Sequence, residues 1–189
     1  TSPATATYID SRSYGVNNDV ADIDFGPVDA SSYTNVTARI RMASFSVGNA
    51  TDGSDLGDYI DFYISLDGGN TYSYELEITG NANARYDFNA TGTQSIVYDG
   101  NNTATSFATP TGTNGISYVE ITGIPNSANL VLGIVMVNNA NRELWVIDNV
   151  ELIGNWWQYD WYISTFFSIY LQRYFYTIYR KVNNLIITF

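Results

Sequence analysis

Short hydrophobic runs alternate with polar turn residues along most of the chain. The runs are rich in Val, Ile, Tyr, Phe and Thr, and clusters of Gly, Asn, Asp and Pro separate them. Their spacing of about 8 to 12 residues is typical of a β-sandwich or barrel, and no helix of ordinary length is visible. The pattern predicts strands at residues 5–10, 20–25, 36–47, 59–66, 72–79, 95–98, 116–122, 130–137 and 144–152.

These strands predict an all-β fold, a two-sheet antiparallel β-sandwich of the jelly-roll type with an aromatic-rich C-terminal tail. The run at 130–137 is apolar on both faces, which indicates a central strand covered on each side. A buried helix would show the same run, but its β-branched residues and short length favour a strand.

Strict alternation sets the register of one predicted hairpin. Matching the apolar faces of its two strands pairs Ile60 with Ile78, Phe62 with Leu76, Ile64 with Tyr74, and Leu66 with Tyr72. Residues 67–71 then form the loop. The opposite face carries the hairpin's polar and tyrosine side chains: Tyr59, Asp61, Tyr63, Ser65, Ser73, Glu75, Glu77 and Thr79.

The turn of this hairpin has the Asp-box spacing S-x-D-x-G-x-T-aromatic, from Ser65 to Tyr72. In such a turn an Asp accepts hydrogen bonds from loop amides, and Gly supplies the positive φ. Sialidase-type propellers repeat the box in every blade, whereas this chain has it once. The motif therefore predicts a structural turn and disfavours a propeller.

Composition removes most catalytic mechanisms. The chain has 19 acidic and 8 basic residues, a net charge of -11, and neither Cys nor His. A chain this acidic is repelled by phosphate backbones, so we expect no nucleic-acid partner. Disulfides, thiolate or imidazole metal sites and His-dependent catalysis are excluded. Carboxylate chemistry, oxygen-ligated metals and simple binding are what the side chains allow.

The outward face of the hairpin is the predicted ligand site, with the loops at residues 81–85 and 101–114 as alternatives. A tyrosine ring stacks on the apolar face of a sugar while polar groups bond its hydroxyls. We therefore predict that the chain is no enzyme and that it binds a glycan or polysaccharide through Tyr59, Asp61, Tyr63, Glu75 and Glu77. Two alternatives stay open. The domain could be a structural spacer without a ligand, or a glycoside hydrolase that works without His through paired carboxylates such as Glu75 and Glu77.

An apolar row on the last predicted strand contains one carboxylate. The row consists of Leu144, Val146, Asp148, Val150 and Leu152. If this row points inward, Asp148 needs a partner, because an unpaired buried charge is costly. Arg39 or Arg41 is one candidate partner, and a Ca²⁺ ion is the other.

The sequence of this strand, from Trp145 to Leu152, resembles the closing strand of bacterial carbohydrate-binding jelly rolls and MAM-like domains. The stretch from Asp58 to Gly69 is similar to accessory jelly-roll modules of large secreted surface proteins. The resemblance implies a non-catalytic module, with a structural Ca²⁺ held by Asp148. Asp22 and Asp24 are the candidate further ligands, and Asn149 departs from the family pattern by replacing a second acid.

A glycine-bearing loop holds three more carboxylates, Asp52, Asp55 and Asp58, at a spacing of three. Oxygen ligands on such a backbone can bind Ca²⁺, but the twelve-residue EF-hand pattern and its closing Glu are missing. A solvated acidic loop is the favoured interpretation.

The composition changes near Gly154, which divides the chain into a jelly-roll domain at 1–154 and a tail at 155–189. All but one of the acidic residues precede the tail, and 13 of the 29 aromatic residues lie in residues 156–189. Residues 161–179 have about the length of a membrane helix but are interrupted by Gln172 and Arg173. We expect membrane contact only if the tail is native.

A second hypothesis is that the tail is frameshifted coding sequence. Trp has a single codon, and residues 156–161 read one nucleotide later permit Gly-Gly-Asn-Thr-Thr-Gly, which is typical of a linker. The rest of the chain is rich in Asn, Thr and Ser and has no Lys before Lys181. This composition predicts a secreted or cell-surface bacterial protein.

Overall fold

A computed structural model describes residues 13–48, 51–110, 114–156 and 184–188. They form eleven strands: β1 (Tyr14–Val16), β2 (Asp19–Val28), β3 (Tyr33–Ser46), β4 (Tyr59–Ser65), β5 (Ser73–Thr79), β6 (Gly92–Val97), β7 (Thr105–Ala108), β8 (Ile116–Ile124), β9 (Leu130–Asn138), β10 (Glu143–Trp156) and β11 (Asn184–Thr188). Eight predicted strands are confirmed, and the predicted strand at 5–10 lies outside the described residues. β1, β7 and β11 were not predicted.

The strands form the predicted two-sheet sandwich. The first sheet has the order β1-β10-β3-β8-β6, with β11 also paired to β10, and the second has the order β2-β9-β4-β5-β7. The chain passes from sheet to sheet at each step from β1 to β4 and again from β8 to β10, which gives the two interlocked Greek keys of a jelly roll.

The sandwich is not antiparallel throughout. β6 pairs with β8, and β7 pairs with β5, in parallel. The cause is the excursion between β5 and β8, in which the chain places one strand on the edge of each sheet before it continues. Both added strands are edge strands, so the central pairings keep the antiparallel order.

The core lies between the two sheets and is formed by alternate side chains of the long strands. Ile40, Phe62, Leu76, Ile134 and Trp145 are each 0% exposed. Burying a large apolar side chain contributes about 1.5–3 kcal/mol, so this layer is the main source of stability.

A bulge in β5 changes the predicted hairpin register. Ile60 pairs with Ile78 and Phe62 with Leu76, as predicted, but Tyr63 then pairs with Tyr74 and Ile64 with Ser73. The predicted pairs of Ile64 with Tyr74 and of Leu66 with Tyr72 are wrong. Glu75 has no partner across the hairpin, and this one extra residue shifts every later position of β5.

A second bulge, in β10, changes the face of Asp148. The ladder shifts between Asp148 and Glu151, and Asn149 has a φ of 43°. Before the bulge, Trp145 and Ile147 contact the core, whereas Leu144 and Val146 were predicted to do so. Leu144 and Val146 pack instead with Ala43, Phe45 and Phe88 in a separate cluster.

The inward row predicted through Asp148 is therefore wrong. Val150 and Leu152 do contact the core, because the bulge reverses the alternation after Asp148. Asp148 follows inward-facing Ile147 and so lies on the opposite face, where it is nonetheless 7% exposed.

The end of the chain returns to the first sheet. β10 runs to Trp156, past the predicted boundary after residue 154, and β11 pairs with it from Glu151 to Asn155. Residues 157–183, which include the predicted membrane segment, lie outside the described residues. In the part of the chain that is described, no helix has the length and hydrophobicity to span a membrane.

A tyrosine and carboxylate cleft as the candidate binding site

A cleft of about 320 Å³ opens on the outer face of the second sheet. This volume lies at the lower end of the range of small-molecule sites. The residues that line it come from three adjacent strands and the β4–β5 loop: Asp22, Asp24, Tyr63, Tyr72, Gly133 and Val135.

Alternation along β2 brings the two aspartates into the cleft. Ala21, Ile23 and Phe25 face the core, so Asp22 and Asp24 between them point outward. In the ladders, Asp22 lies opposite Val135 and Asp24 opposite Gly133 on β9. The acidic wall of the cleft is thus set by the same pattern that buries the other face of β2.

Gly133 forms the floor, because it lies between Asp24 of β2 and Tyr63 of β4. A Cβ atom here would lie 3.2 Å from Cε1 of Tyr72 and 3.3 Å from Oδ1 of Asp24. The missing side chain is what lets the ring of Tyr72 and the carboxylate of Asp24 approach each other over β9.

Tyr63 and Tyr72 form the aromatic wall, and Tyr74 packs against Tyr63. Tyr63 and Tyr74 are stacked, with ring centroids 4.8 Å apart and an interplanar angle of 20°. Tyr72 meets Tyr63 edge to face at 6.5 Å and 88°. The β5 bulge produces this wall, since it moves Tyr74 from the predicted core face to the face of Tyr63.

Asp61 holds the stacked pair in place. Its Oδ1 accepts a hydrogen bond from the Tyr74 hydroxyl at 2.7 Å, and its Oδ2 accepts one from the Tyr63 hydroxyl at 3.3 Å. Both carboxylate oxygens are therefore occupied. Burial raises the pKa of Asp61 despite these two bonds, and the nearby charge of Glu77 raises it further.

The tyrosine hydroxyls are proton donors over the whole neutral range. Burial and the charge of Asp61 raise the pKa of Tyr63 to about 12, and burial with a hydrogen bond to Asp24 raises the pKa of Tyr72 to about 12. The pKa of Tyr74 is also raised, by burial and its bond to Asp61. None of these groups can act as a base near pH 7.

Most of the predicted ligand residues lie on this face, but the side chain of Glu75 is buried. Asp61 and Glu77 are directly opposite in the ladder, and Tyr59 and Tyr63 flank Asp61 on β4. Glu75 is 3% exposed, and its Oε2 accepts a hydrogen bond of 3.2 Å from the amide of Asp99. Glu75 and Glu77, the pair named for the hydrolase alternative, are therefore not both accessible.

The sequence reasoning missed Tyr72 and Tyr74 and gave Asp22 and Asp24 a different role. The alternation of β2 was sufficient to place the two aspartates on the outer face. The bulge that exposes Tyr74 cannot be detected in the hydrophobic pattern, because a Glu at position 75 is what an outward-facing position of a regular strand would also carry.

The structure does not bring the predicted metal ligands together. Asp22 and Asp24 face the cleft of the second sheet, whereas Asp148 belongs to the first, where its Oδ1 accepts a hydrogen bond from the amide of Asn149. Of the two predicted arginine partners, Arg39 forms an ion pair of 2.8 Å with Glu120. Arg41 lies opposite Asp148 in the ladder and donates to the carbonyl of Phe88.

A different group of carboxylates could hold a metal. Oxygens of Asp55, Asp58 and Glu143 lie within 4.8 Å of one another, and this is the one such trio among the described residues.

Comparison of the chain with protein-family models, with curated proteins and with solved structures finds no match.

Proposed function

We propose that the chain is a non-catalytic carbohydrate-binding module that holds a glycan in the cleft of the second sheet. The observation that carries this proposal is the meeting of Tyr63 and Tyr72 with Asp22 and Asp24 around one open glycine floor. Tyrosine rings offer flat apolar area for a pyranose, and carboxylates accept hydrogen bonds from its hydroxyls.

The charge of the cleft favours a neutral glycan. Asp22 and Asp24 line it, Asp61 and Glu77 lie beside it, and its lining within the described chain includes no Lys or Arg. A sugar that carries a carboxylate or sulfate would meet like charge, in a protein whose net charge is already -11. Uncharged hexose or pentose polymers are the class that fits.

The module serves attachment and not turnover. The two tyrosines that line the cleft are proton donors at neutral pH, because the pKa of each is raised to about 12, and the chain has no His. We propose that it belongs to a secreted or surface bacterial protein, in which it positions other domains on a polysaccharide or contributes to adhesion.

A glycan array followed by calorimetry on the retained sugars tests the proposal. We expect binding of neutral glycans that Tyr72→Ala and Asp24→Asn each weaken by about tenfold or more, the size of one lost stacking or charged hydrogen-bond contact. Tyr14→Ala is the matched control, since Tyr14 is a tyrosine 50% exposed on the first sheet.

Two outcomes would overturn the proposal. Retention of no glycan by the folded protein would leave a spacer domain as the function. Release of shortened sugars from a retained glycan, detected by chromatography, would show a hydrolase.

A further inference from the structure

The loop before β4 presents carboxylates to one end of the sandwich. Asp58 is 1% exposed and ends this loop, and its Oδ2 accepts a hydrogen bond from the amide of Asp55 at 2.9 Å. Its Oδ1 accepts another from the amide of Asn139, in the turn between β9 and β10, also at 2.9 Å. Asp58 is therefore fixed between two turns, with Asp55 beside it.

The start of β10 supplies an independent observation. Glu143, the first residue of β10, is 4% exposed and brings a carboxylate to the same point as Asp55 and Asp58. Its Oε2 is buried and has no hydrogen-bond partner. A buried carboxylate oxygen without a donor is costly, so the protein alone leaves Oε2 of Glu143 unsatisfied.

The electrostatics agree with this observation. Burial, a side-chain hydrogen bond with Asp58 and the charges of the nearby aspartates raise the pKa of Glu143 to about 8. Burial also raises the pKa of Asp55, together with the charges of Asp58 and Asp52. Among the described residues no Lys or Arg forms an ion pair with Asp55, Asp58 or Glu143, and the nearby Arg142 pairs with Asp52 at 3.9 Å.

The spacing of the oxygens fits one ion. The three carboxylates approach within 4.8 Å of one another, and oxygens that bind a single Ca²⁺ at about 2.3–2.6 Å can be separated by up to about 5 Å. All three donors are hard oxygens, which select Ca²⁺ or a similar cation over zinc or copper. Main-chain carbonyls and water normally complete the six to eight ligands.

We propose that Asp55, Asp58 and Glu143 form a divalent-cation site that takes Ca²⁺. None of the three lines the glycan cleft. Asp58 immediately precedes β4 of the second sheet, and Glu143 is the first residue of β10 in the first sheet. An ion here cross-links the two sheets at one end of the sandwich, so its role is to stabilise the fold.

Thermal unfolding and calorimetry with CaCl₂, MgCl₂ and EDTA test the site. We expect wild-type protein to bind one Ca²⁺ and to melt about 5 °C higher, or more, at saturating Ca²⁺ than in EDTA. Glu143→Gln removes one ligand charge at nearly constant volume. This variant should lose most of the Ca²⁺ shift, and in EDTA it should melt close to wild type, because the substitution keeps the size and shape of the buried side chain.

Glu151→Gln is the matched control, because it makes the same change on the same strand outside the trio, and it should keep the full Ca²⁺ response. If Glu143→Gln fails to fold, Asp55→Asn replaces it, since Asp55 is only partly buried. Absence of Ca²⁺ binding in wild type, or an unchanged Ca²⁺ shift in the ligand variants, overturns the site. Glycan binding enters none of these measurements.

Discussion

The hydroxyl of Tyr74 donates a 2.7 Å hydrogen bond to Oδ1 of Asp61, from one strand of the β4–β5 hairpin to the other. Because Oδ2 of the same carboxylate binds Tyr63, a single aspartate fixes two stacked rings. The ring pair is thereby held in one orientation by the protein itself, which would lower the entropic cost of binding the proposed glycan.

Removal of the Tyr74 hydroxyl should destabilise the domain. Tyr74→Phe removes the hydroxyl that donates to Oδ1 of Asp61. Because Asp61 is only 7% exposed, we expect a loss of about 1–2 kcal/mol in the free energy of unfolding. Urea denaturation measures it. Tyr59→Phe is the control on β4, and an equal loss in both variants would contradict the role given to Asp61.

Gly133→Ala should separate binding from stability. The added methyl group would lie 3.2 Å from Tyr72 and 3.3 Å from Asp24, so these side chains must move by a few tenths of an ångström. We expect glycan affinity to fall about tenfold, the usual effect of one methyl group in a binding site, with little change in the melting temperature. Unchanged affinity in calorimetry would show that the ligand does not use this floor.

The alternation of hydrophobic residues was sufficient to predict the two-sheet fold and most strand positions, because each long strand has one face on the core. β1 and β7 are short strands of three and four residues, too short to show a period. The two parallel edge pairings were also missed, since alternation carries no information on strand direction.

The errors in side-chain placement have one physical cause. A bulge at Glu75 and another at Asn149 each insert one residue, and the side-chain period of two then reverses. The first exposes Tyr74 and withdraws Glu75. The second removes Asp148 from the inward row. Two of the three carboxylates of the proposed cation site, Asp55 and Asp58, were visible in the sequence, but the third, Glu143, comes from β10 through the fold alone.

The β10 bulge should depend on the left-handed backbone of Asn149. Asn149 has a φ of 43°, a conformation that glycine adopts freely and that costs other L-residues about 1–2 kcal/mol. Asn149→Gly should therefore leave the free energy of unfolding nearly unchanged, whereas Asn149→Val should lower it by about 1–2 kcal/mol or more. Equal stability of the two variants in chemical denaturation would show that the bulge relaxes without cost.

Asp67 should make the hairpin turn sensitive to acid. Its Oδ1 accepts hydrogen bonds from the Thr71 amide and the Ser65 hydroxyl, and its Oδ2 accepts one from the Thr71 hydroxyl. These bonds, those of Thr71 first, lower the pKa of Asp67 from 3.8 to about 2. A carboxyl whose pKa is lower in the folded state stabilises the fold above its unfolded pKa.

That stabilisation is complete above pH 3.8 and is lost as the pH falls through the folded pKa of about 2. Asp67→Asn should accordingly melt below wild type at pH 6, and the difference between the two should shrink steadily towards pH 2. Asp19→Asn is the control, because Asp19 is exposed and its Oδ1 accepts a hydrogen bond from the amide of the adjacent Val20. A melting-temperature difference between Asp67→Asn and wild type that stays constant from pH 6 to pH 2 would mean that Asp67 acts through its shape and not through its charge.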